Sequence, residues 1–317
     1  MIYPTEKLRH AKILVTGATG FIGRHLTKAL ILSGAEVFGF SRRKSDDLGS
    51  SNTFVGNISD RKTVLNIIEN IRPHYVFHLA ASKLRTADPD DFRRCFEKNL
   101  IGTLNLLEAC HVSSKNSRIV ALGTCEEYGG ATPPYTEDTR EAPVSAYSCS
   151  KLATTILLQT FQRVHGLPVV VLRPSLAYGP GQDDDMFLPA LIKCLLKQNR
   201  FSMSPGNQLR DFIYIDDLIE AILLAATSPE STGKVINISS GEPIKISDLA
   251  KLVATIIEPY AHKLLDVGKI SYRFGEAMKY WADNRLAKLI LGWQPKVSLL
   301  EGLEKTVVFY RANSNES

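Results

Sequence analysis

Short apolar runs alternate along the chain with longer segments whose apolar residues recur at helical spacing. The apolar runs predict strands at 11–15, 36–40, 53–55, 75–79 and 118–122. The amphipathic segments predict helices at 21–32, 61–70, 91–112, 247–257 and 300–311, with Asp60 as the N-cap of the second. Asn99 and Gly102 interrupt the third of these helices, which indicates close packing or a local distortion there. The alternation is typical of an α/β fold with a parallel sheet.

A glycine-rich turn joins the first predicted strand to the first predicted helix. Gly17, Gly20 and Gly23 suit a tight bend, a close approach of the backbone to a pyrophosphate, and close packing of helix on strand. Free N–H groups and the positive end of the helix dipole would face the phosphates. The turn therefore predicts a dinucleotide site, and an ordinary strand-to-helix loop is the alternative.

The residues after the second strand indicate which dinucleotide fits. NAD enzymes carry an acidic residue there for the ribose 2′-hydroxyl, whereas this chain has Ser41, Arg42 and Arg43. Guanidinium groups can clamp a 2′-phosphate that a carboxylate would repel. We therefore predict NADP(H) rather than NAD, with a solvated basic loop as the alternative.

Composition narrows the class of protein. The 317 residues exceed the usual range of one domain, and 38 basic residues stand against 33 acidic ones without a dense basic run. We expect phosphorylated small molecules as ligands and no nucleic acid. The five cysteines have no metal-ligand spacing and no apolar run reaches membrane-spanning length. We therefore expect reduced thiols, no metal, no membrane, and a soluble cytoplasmic protein.

Candidate catalytic residues follow the fifth predicted strand. Tyr147 and Lys151 are one helical turn apart, so both project from one helix face. The ammonium would lower the pKa of the phenol and let it exchange a proton near neutral pH. Thr124 lies at the carboxyl end of the strand, where open α/β sheets place their chemistry. His78, inside a strand, is interpreted as a core residue.

Further motifs are spread over nearly the whole chain. They are H-L-A-A at 78–81, N-L-I-G-T-L-N-L-L-E at 99–108, Y-G-P-G at 178–181, R-D-F-I-Y-I-D-D at 210–217, A-D at 282–283 and L-G-W-Q-P at 291–295. With the glycine turn and the Tyr147–Lys151 pair, they resemble the extended short-chain dehydrogenase/reductase family, whose members mostly act on nucleotide-activated sugars. The resemblance implies a doubly wound parallel (Rossmann) sheet with later strands at 168–173 and 235–238.

The resemblance also implies a division of the chain and an assembly. Residues 1–172, with the strand near 235–238, would form the NAD(P)-binding domain, and residues 173–317 would form most of a smaller, discontinuous substrate domain. A homodimer and a nucleotide-diphosphate sugar as substrate are expected by the same resemblance.

Individual roles follow from the resemblance. The catalytic residues would be Thr124, Tyr147 and Lys151, with Glu126 as a candidate base. The cofactor-binding residues would be Gly17, Thr19, Gly20, Phe21, Ile22, Gly23, Ser41, Arg42, Arg43, Asn57, Ile58, Leu79, Ala80, Ala81, Asn99, Tyr147 and Lys151. The substrate-binding residues would be Lys83, Thr124, Cys125, Glu126, Leu176, Arg210 and Arg273. Arg210 would meet the phosphates, and a surface ion pair with Asp211 is the alternative.

Some positions depart from the family pattern. Leu176 stands where an asparagine usually lies near the diphosphate, and Asn57 replaces an aspartate that commonly binds the adenine amino group. Cys125 stands where TDP-glucose 4,6-dehydratases have an aspartate, although Glu126 matches their glutamate. The segment 123–129 is most similar to the Ser-Ser-Glu-Glu-Tyr-Gly segment of GDP-4-keto-6-deoxymannose reductases. GDP-mannose dehydratases carry Thr-Ser-Glu there, also use NADP and have paired arginines after the second strand. Arg42 and Arg43 also depart from the acidic residue of the NAD-using 4-epimerases, which weighs against an epimerase.

The leading hypothesis from the sequence is an NADPH-dependent oxidoreductase that reduces a nucleotide-linked 4-keto-6-deoxyhexose. The alternative is a 4-epimerase or 4,6-dehydratase that forms a transient 4-keto sugar with a tightly bound NAD(P). A binding protein that only senses the cofactor is a third possibility, against which the intact Thr124, Tyr147 and Lys151 argue.

Overall fold

The computed structural model describes residues 6–44, 48, 52–86, 88–272 and 276–313. The strands in these residues are β1 (Lys12–Thr16), β2 (Glu36–Ser41), β3 (Thr53–Val55), β4 (Tyr75–His78), β5 (Arg118–Leu122), β6 (Val169–Pro174), β7 (Leu176–Tyr178), β8 (Phe201–Met203), β9 (Leu209–Arg210), β10 (Phe212–Tyr214), β11 (Val235–Ile238), β12 (Ile244–Lys245), β13 (Leu265–Val267) and β14 (Lys279–Tyr280). The helices are α1 (Phe21–Leu32), α2 (Arg61–Ile71), α3 (Asp90–Cys95), α4 (Gly102–Ser113), α5 (Ala146–His165), α6 (Phe187–Leu196), α7 (Ile215–Thr227), α8 (Ile246–Ile257), α9 (Arg285–Leu291) and α10 (Leu299–Asn313).

The central sheet has seven strands in the described part of the chain, in the order β11-β6-β5-β4-β1-β2-β3. Every neighbouring pair in it is parallel. The strand order reverses between β1 and β4, and open α/β sheets bind their ligands in the crevice at such a point. The doubly wound parallel sheet is thus confirmed, and the predicted strand at 235–238 lies at its edge.

Two hydrophobic cores cover the faces of this sheet. The larger contains α1 and α7 and continues into α8 and α10, while the smaller contains residues of α2, α4 and α5. The strands outside the central sheet form small two- and three-stranded sheets in the described residues after 175. The last of them, β14, pairs with β9 and returns the chain toward the end of β5.

The predicted helix at 91–112 is interrupted, as the sequence indicated. Residues 96–101 form a π-helical turn between α3 and α4. Gly102 follows this turn, and a Cβ there would lie 2.6 Å from Cγ2 of Ile58. The distortion and the glycine together let α4 pack closely against the loop after β3 and turn Asn99 inward, where it is 1% exposed.

Candidate active site

The glycine turn has the geometry that its spacing predicts. Gly17 has φ +73°, and a Cβ there would lie 2.8 Å from the backbone nitrogen of Ala80. A Cβ on Gly23 would clash with the carbonyl of Gly17. Gly20 is exposed at the N-cap of α1, and Thr19 beside it is half-buried. Phe21 and Ile22 pack into the core, so these positions can offer backbone N–H groups to a ligand.

The residues predicted at the adenosine end lie beyond β2 and β3. Arg42 and Arg43 are exposed, and the Ser41 hydroxyl donates a hydrogen bond to the Arg43 carbonyl. Asn57 is exposed, but its Oδ1 already accepts from the Ser59 nitrogen at 3.1 Å. Ile58 is buried against Gly102. The arginines are therefore available to an anion at this edge.

The loop after β4 forms the wall beside the glycine turn. The nitrogen of Leu79 donates to the Thr16 carbonyl and that of Ala80 to the Thr16 hydroxyl. Ala81 is exposed. This part of the wall is thus lined by small side chains and backbone.

Asn99 fixes that wall and does not present its amide to a ligand. Its Oδ1 accepts from the Ser82 nitrogen at 2.7 Å, and its Nδ2 donates to the Ser82 carbonyl and to the Ser150 hydroxyl. Both amide hydrogens are used inside the protein. The π-helical turn directs this side chain into the core, and a direct contact of Asn99 with the cofactor stays a prediction.

His78 is a core residue, as predicted. It is 2% exposed, and its ring nitrogens lie 2.8 Å from the hydroxyls of Thr16 and Thr103. Burial lowers its pKa to about 3, and the charge of Lys151 contributes. The imidazole is therefore neutral at physiological pH and takes no part in the chemistry proposed below.

Tyr147 and Lys151 lie in the first turns of α5, which Ser145 caps by accepting from the Ser148 nitrogen. Both side chains are buried, at 8% and 5% exposure. The Lys151 ammonium donates to the Leu122 carbonyl, and burial lowers its pKa to about 8. The pKa of Tyr147 is raised by burial and then by the charge of Glu126. The net direction is therefore opposite to the lowered tyrosine pKa that the sequence led us to expect.

The cation at the Tyr147 ring is Arg85, which sequence reasoning missed. Its Cζ lies 4.4 Å from the ring centroid. Its Nε and Nη2 donate to the two carboxylate oxygens of Glu126 at 3.0 and 2.6 Å. A basic residue shortly after the β4 motif was visible in the sequence, but its partner lies 41 positions away.

Thr124 is held by a capping box at the end of β5. Its hydroxyl accepts from the Glu126 nitrogen, and its own nitrogen donates to Oε1 of Glu127 at 2.9 Å. Glu127 is fully buried and paired with Arg173, whose Nε and Nη2 lie 2.9 and 2.7 Å from its Oε2. Glu127 thus positions Thr124, a role that the sequence did not indicate.

Cys125 does not face the site. It is fully buried, its thiol donates to the Arg173 carbonyl at 3.1 Å, and burial raises its pKa well above the usual range. It packs in an apolar cluster with Tyr135 and Tyr280, and Leu176 contacts the same cluster. The Cys125 thiol is therefore turned away from the site and Leu176 adds an apolar surface, while substrate binding at Cys125 stays a prediction.

The basic residues predicted to bind substrate are Arg210, Lys83 and Arg273, and the first two form ion pairs in the structure. Arg210 is paired with Glu276 and lies 5.9 Å from the ring centroid of Tyr280. The alternative pairing of Arg210 with Asp211 is wrong, because Asp211 is fully buried among serine hydroxyls and backbone N–H groups. Lys83 lies 3.5 Å from Asp183, with both side chains half exposed. Arg273 lies outside the described residues.

The described residues provide neither a metal-binding cluster nor a membrane span. No group of three or more His, Cys, Asp or Glu residues among them could hold a metal ion. None of the helices that the structure describes combines the length and the apolar character that crossing a membrane requires. The five cysteines are free.

A doubly wound sheet with a glycine turn at its first strand and a Tyr-x-x-x-Lys pair on α5 defines an extended short-chain dehydrogenase/reductase. The family model described as the NAD dependent epimerase/dehydratase family matches residues 13–239. The chain belongs to that family, and the resemblance seen in the sequence is confirmed.

Similar proteins include epimerases and a dehydratase. A UDP-glucuronate 4-epimerase of Thermodesulfobacterium geofontis is 29% identical over 95% of this chain and 96% of that protein. A dTDP-glucose 4,6-dehydratase of Salmonella typhimurium is 26% identical over 96% of this chain and 93% of that protein. The solved UDP-glucose 4-epimerase of Thermus thermophilus in complex with NAD has a TM-score of 0.85 and 27% identity, over 94% of this chain and 98% of that one.

Proposed function

We propose that the protein is a nucleotide-sugar 4-epimerase that keeps a nicotinamide dinucleotide bound through its cycle. The family, the two similar epimerases and the grouping of Thr124, Tyr147 and Lys151 at the carboxyl end of β5 support this function. The reductase hypothesis drawn from the sequence has less support, because the similar proteins described above are epimerases and a dehydratase.

The residues present fit the dinucleotide. Gly20 leaves the N-terminus of α1 without a side chain, and the first-turn N–H groups of a helix have no intrahelical acceptor. Lys151 would bind the ribose beside the nicotinamide. When bound, the oxidised nicotinamide supplies a hydride acceptor that later returns the hydride to the sugar.

The protein's own residues handle the proton. Tyr147 Oη would remove the proton of the sugar 4-hydroxyl as C4 loses its hydride, and it would return that proton after the sugar has turned over. Thr124 Oγ1 would hydrogen-bond to the same sugar oxygen. Arg210 would meet the diphosphate, which has to displace Glu276 from it.

The observation that favours epimerisation over elimination is the environment of Cys125 and Glu126. Loss of water from C5 and C6 needs a base at C5 and an acid for the departing hydroxyl. Both oxygens of Glu126 accept hydrogen bonds from Arg85. The thiol at the position of the dehydratase aspartate is fully buried and turned away. The engaged Glu126 carboxylate and the inward Cys125 thiol support epimerisation over elimination.

The experiment is incubation of the purified protein with UDP-glucose, UDP-glucuronate or dTDP-glucose and no added coenzyme, with products resolved by anion-exchange chromatography and NMR. The expected product is the C4 epimer. A 4-keto-6-deoxy product would identify a dehydratase instead. Stoichiometric loss of NADPH with a keto sugar, without epimerisation, would restore the reductase hypothesis. Tyr147→Phe should abolish turnover and leave dinucleotide affinity nearly unchanged.

We also propose that the coenzyme is NADP(H), bound through Arg42 and Arg43. Both side chains are exposed at the end of β2, and neither forms an ion pair within the described residues. The solved epimerase of Thermus thermophilus holds NAD, so titration with both coenzymes is the decisive measurement.

A homodimer through the outer faces of α4 and α5 and a cytoplasmic location complete the proposal. Val112 on α4, and Ile156 and Val164 on α5, are 72%, 53% and 67% exposed. Light scattering should give twice the chain mass, and Ile156→Glu should lower it. The division of the chain at residue 172 stays a prediction.

A further inference from the structure

Arg85 extends from the loop after β4 to the ring of Tyr147. Its Cζ lies 4.4 Å from the ring centroid, within the range of a cation–π contact. Besides the fork to Glu126 at 3.0 and 2.6 Å, its Nη1 donates to the Lys83 carbonyl at 3.2 Å. Three hydrogen bonds therefore hold the guanidinium at the ring, although a third of the side chain remains exposed.

The proposed reaction needs a stabilised phenolate at Tyr147, and the surroundings oppose it. The ring is buried, and the carboxylates of Glu126 and Glu127 disfavour a further negative charge, whereas a hydrogen bond with the Thr124 side chain favours it. Lys151 has its ammonium on the Leu122 carbonyl and loses its own proton at a pKa of about 8. A guanidinium does not lose its proton in proteins, so Arg85 is positive at every working pH.

The other titratable groups that face Tyr147 come from several elements. In the described residues they are Cys95 on α3, Glu126 and Glu127 after β5, Lys151 on α5 itself, and Tyr280 on β14. Cys95 donates its thiol hydrogen to backbone carbonyls, and burial raises the pKa of the Tyr280 phenol well above its usual value. Arg85 is thus the cation on the face of the ring.

We propose that Arg85 is a positioning residue of the active site, whose guanidinium, locked by Glu126, stabilises the ionised form of Tyr147 and sets the pH range of proton transfer. This inference rests on the proposed function, since it assigns the control of the proton that Tyr147 exchanges there. It also gives Glu126 a task other than that of a base: it orients the cation.

The first test reads the ionisation of residue 147 without any turnover. Tyr147 is replaced in the full-length protein by 3,5-difluorotyrosine, whose fluorines bring the phenol pKa into a range where the protein stays folded, and the ¹⁹F chemical shift is followed against pH. Arg85→Met should raise the midpoint by about one pH unit, the lower end of the effect of an opposite charge within about 6 Å, because the arginine is partly exposed. Arg85→Lys keeps the charge without the fork and should raise the midpoint by less.

The matched control is Arg94→Met. Arg94 lies on α3, is 56% exposed and pairs with Asp91 at 3.8 Å. Arg94→Met should leave the midpoint of the ¹⁹F titration unchanged. An unchanged midpoint in Arg85→Met, or an equal change in the two methionine variants, would overturn the inference.

The second test is the pH profile of epimerisation. If the midpoint rises by about one pH unit in Arg85→Met, kcat/KM at pH 7 should fall about tenfold and recover as the pH rises, while KM stays near that of the wild type. A purely structural loss would lower kcat equally at all pH values and would contradict the inference. A raised ¹⁹F midpoint in a protein that does not epimerise would overturn the proposed function and leave the inference standing.

Discussion

Tyr280 and Tyr135 lie in the same buried cluster, yet loss of their hydroxyl groups should change stability in opposite directions. The Tyr280 hydroxyl is buried and lies near the Thr124 side chain, but it makes no hydrogen bond of ordinary geometry with the residues that the structure describes. The Tyr135 hydroxyl is shared between the carbonyls of Gly129 at 3.3 Å and Lys279 at 3.2 Å. Phenylalanine keeps the ring packing in both cases, so each substitution isolates one hydroxyl.

The magnitudes follow from the cost of an unmade hydrogen bond. A buried polar group without a partner costs about 1–3 kcal/mol, whereas a made hydrogen bond contributes about 1 kcal/mol net. Tyr280→Phe should therefore raise the free energy of unfolding by about 1 kcal/mol or more, and Tyr135→Phe should lower it by about 1 kcal/mol. Urea denaturation of the dinucleotide-free proteins at one pH measures both, with an unchanged m-value as the check on two-state behaviour. If Tyr280→Phe is as destabilising as Tyr135→Phe, its hydroxyl has a partner in the free protein and the reasoning fails.

Three further predictions use other parts of the molecule. Replacing Arg42 and Arg43 by alanine should weaken NADP binding by about tenfold or more, because a charge-assisted contact with the 2′-phosphate is lost. NAD binding should stay unchanged in the same fluorescence titrations. Equal effects on both coenzymes would contradict the assignment. Burial lowers the pKa of His78 from 6.5 to about 3, so this histidine takes up a proton in the unfolded state first as the pH falls. The free energy of unfolding of the wild type should therefore fall by about 2 kcal/mol more than that of His78→Gln between pH 6.5 and 5. Urea denaturation at a series of pH values measures both. Gly17→Ala should lower the free energy of unfolding by about 2 kcal/mol or more, because φ is positive there and a Cβ would contact the backbone of Ala80. Gly166 has φ +69° and open space around it, so Gly166→Ala should lower the same quantity by about 1 kcal/mol.

Local periodicity was sufficient to predict most elements of the dinucleotide-binding half. The strand at 53–55, the strand at 118–122 and helix α1 begin and end where the pattern places them. Asp60 caps α2 through hydrogen bonds to the nitrogens of Lys62 and Thr63, as its position indicates. These features depend on residues within one or two turns of each other, which is the range that sequence spacing can report.

Side-chain direction and burial could not be predicted in the same way. Asn99 and Cys125 lie beside the site, but a π-helical turn and a short 3-10 turn direct them inward. The Tyr147–Lys151 spacing is visible in the sequence, while the burial that raises the tyrosine pKa is not. Arg85 could not be connected with Tyr147, because that contact forms only when the loop after β4 folds over the end of β5.

The segment after β5 shows how the core and the site share one set of residues. Burying Glu127 and Arg173 away from water costs several kcal/mol for each ion before their attraction is counted. A fold that needed only stability would do as well with apolar residues there. The arrangement also positions Thr124, because Oε1 of Glu127, which is not bonded to Arg173, accepts a hydrogen bond from the Thr124 nitrogen. A Cβ on Gly123 would lie 2.6 Å from that oxygen, so the glycine before Thr124 is required by the same contact. The buried Glu127–Arg173 pair therefore fixes the position of the Thr124 hydroxyl at the site. The same requirement accounts for both the buried pair and Gly123.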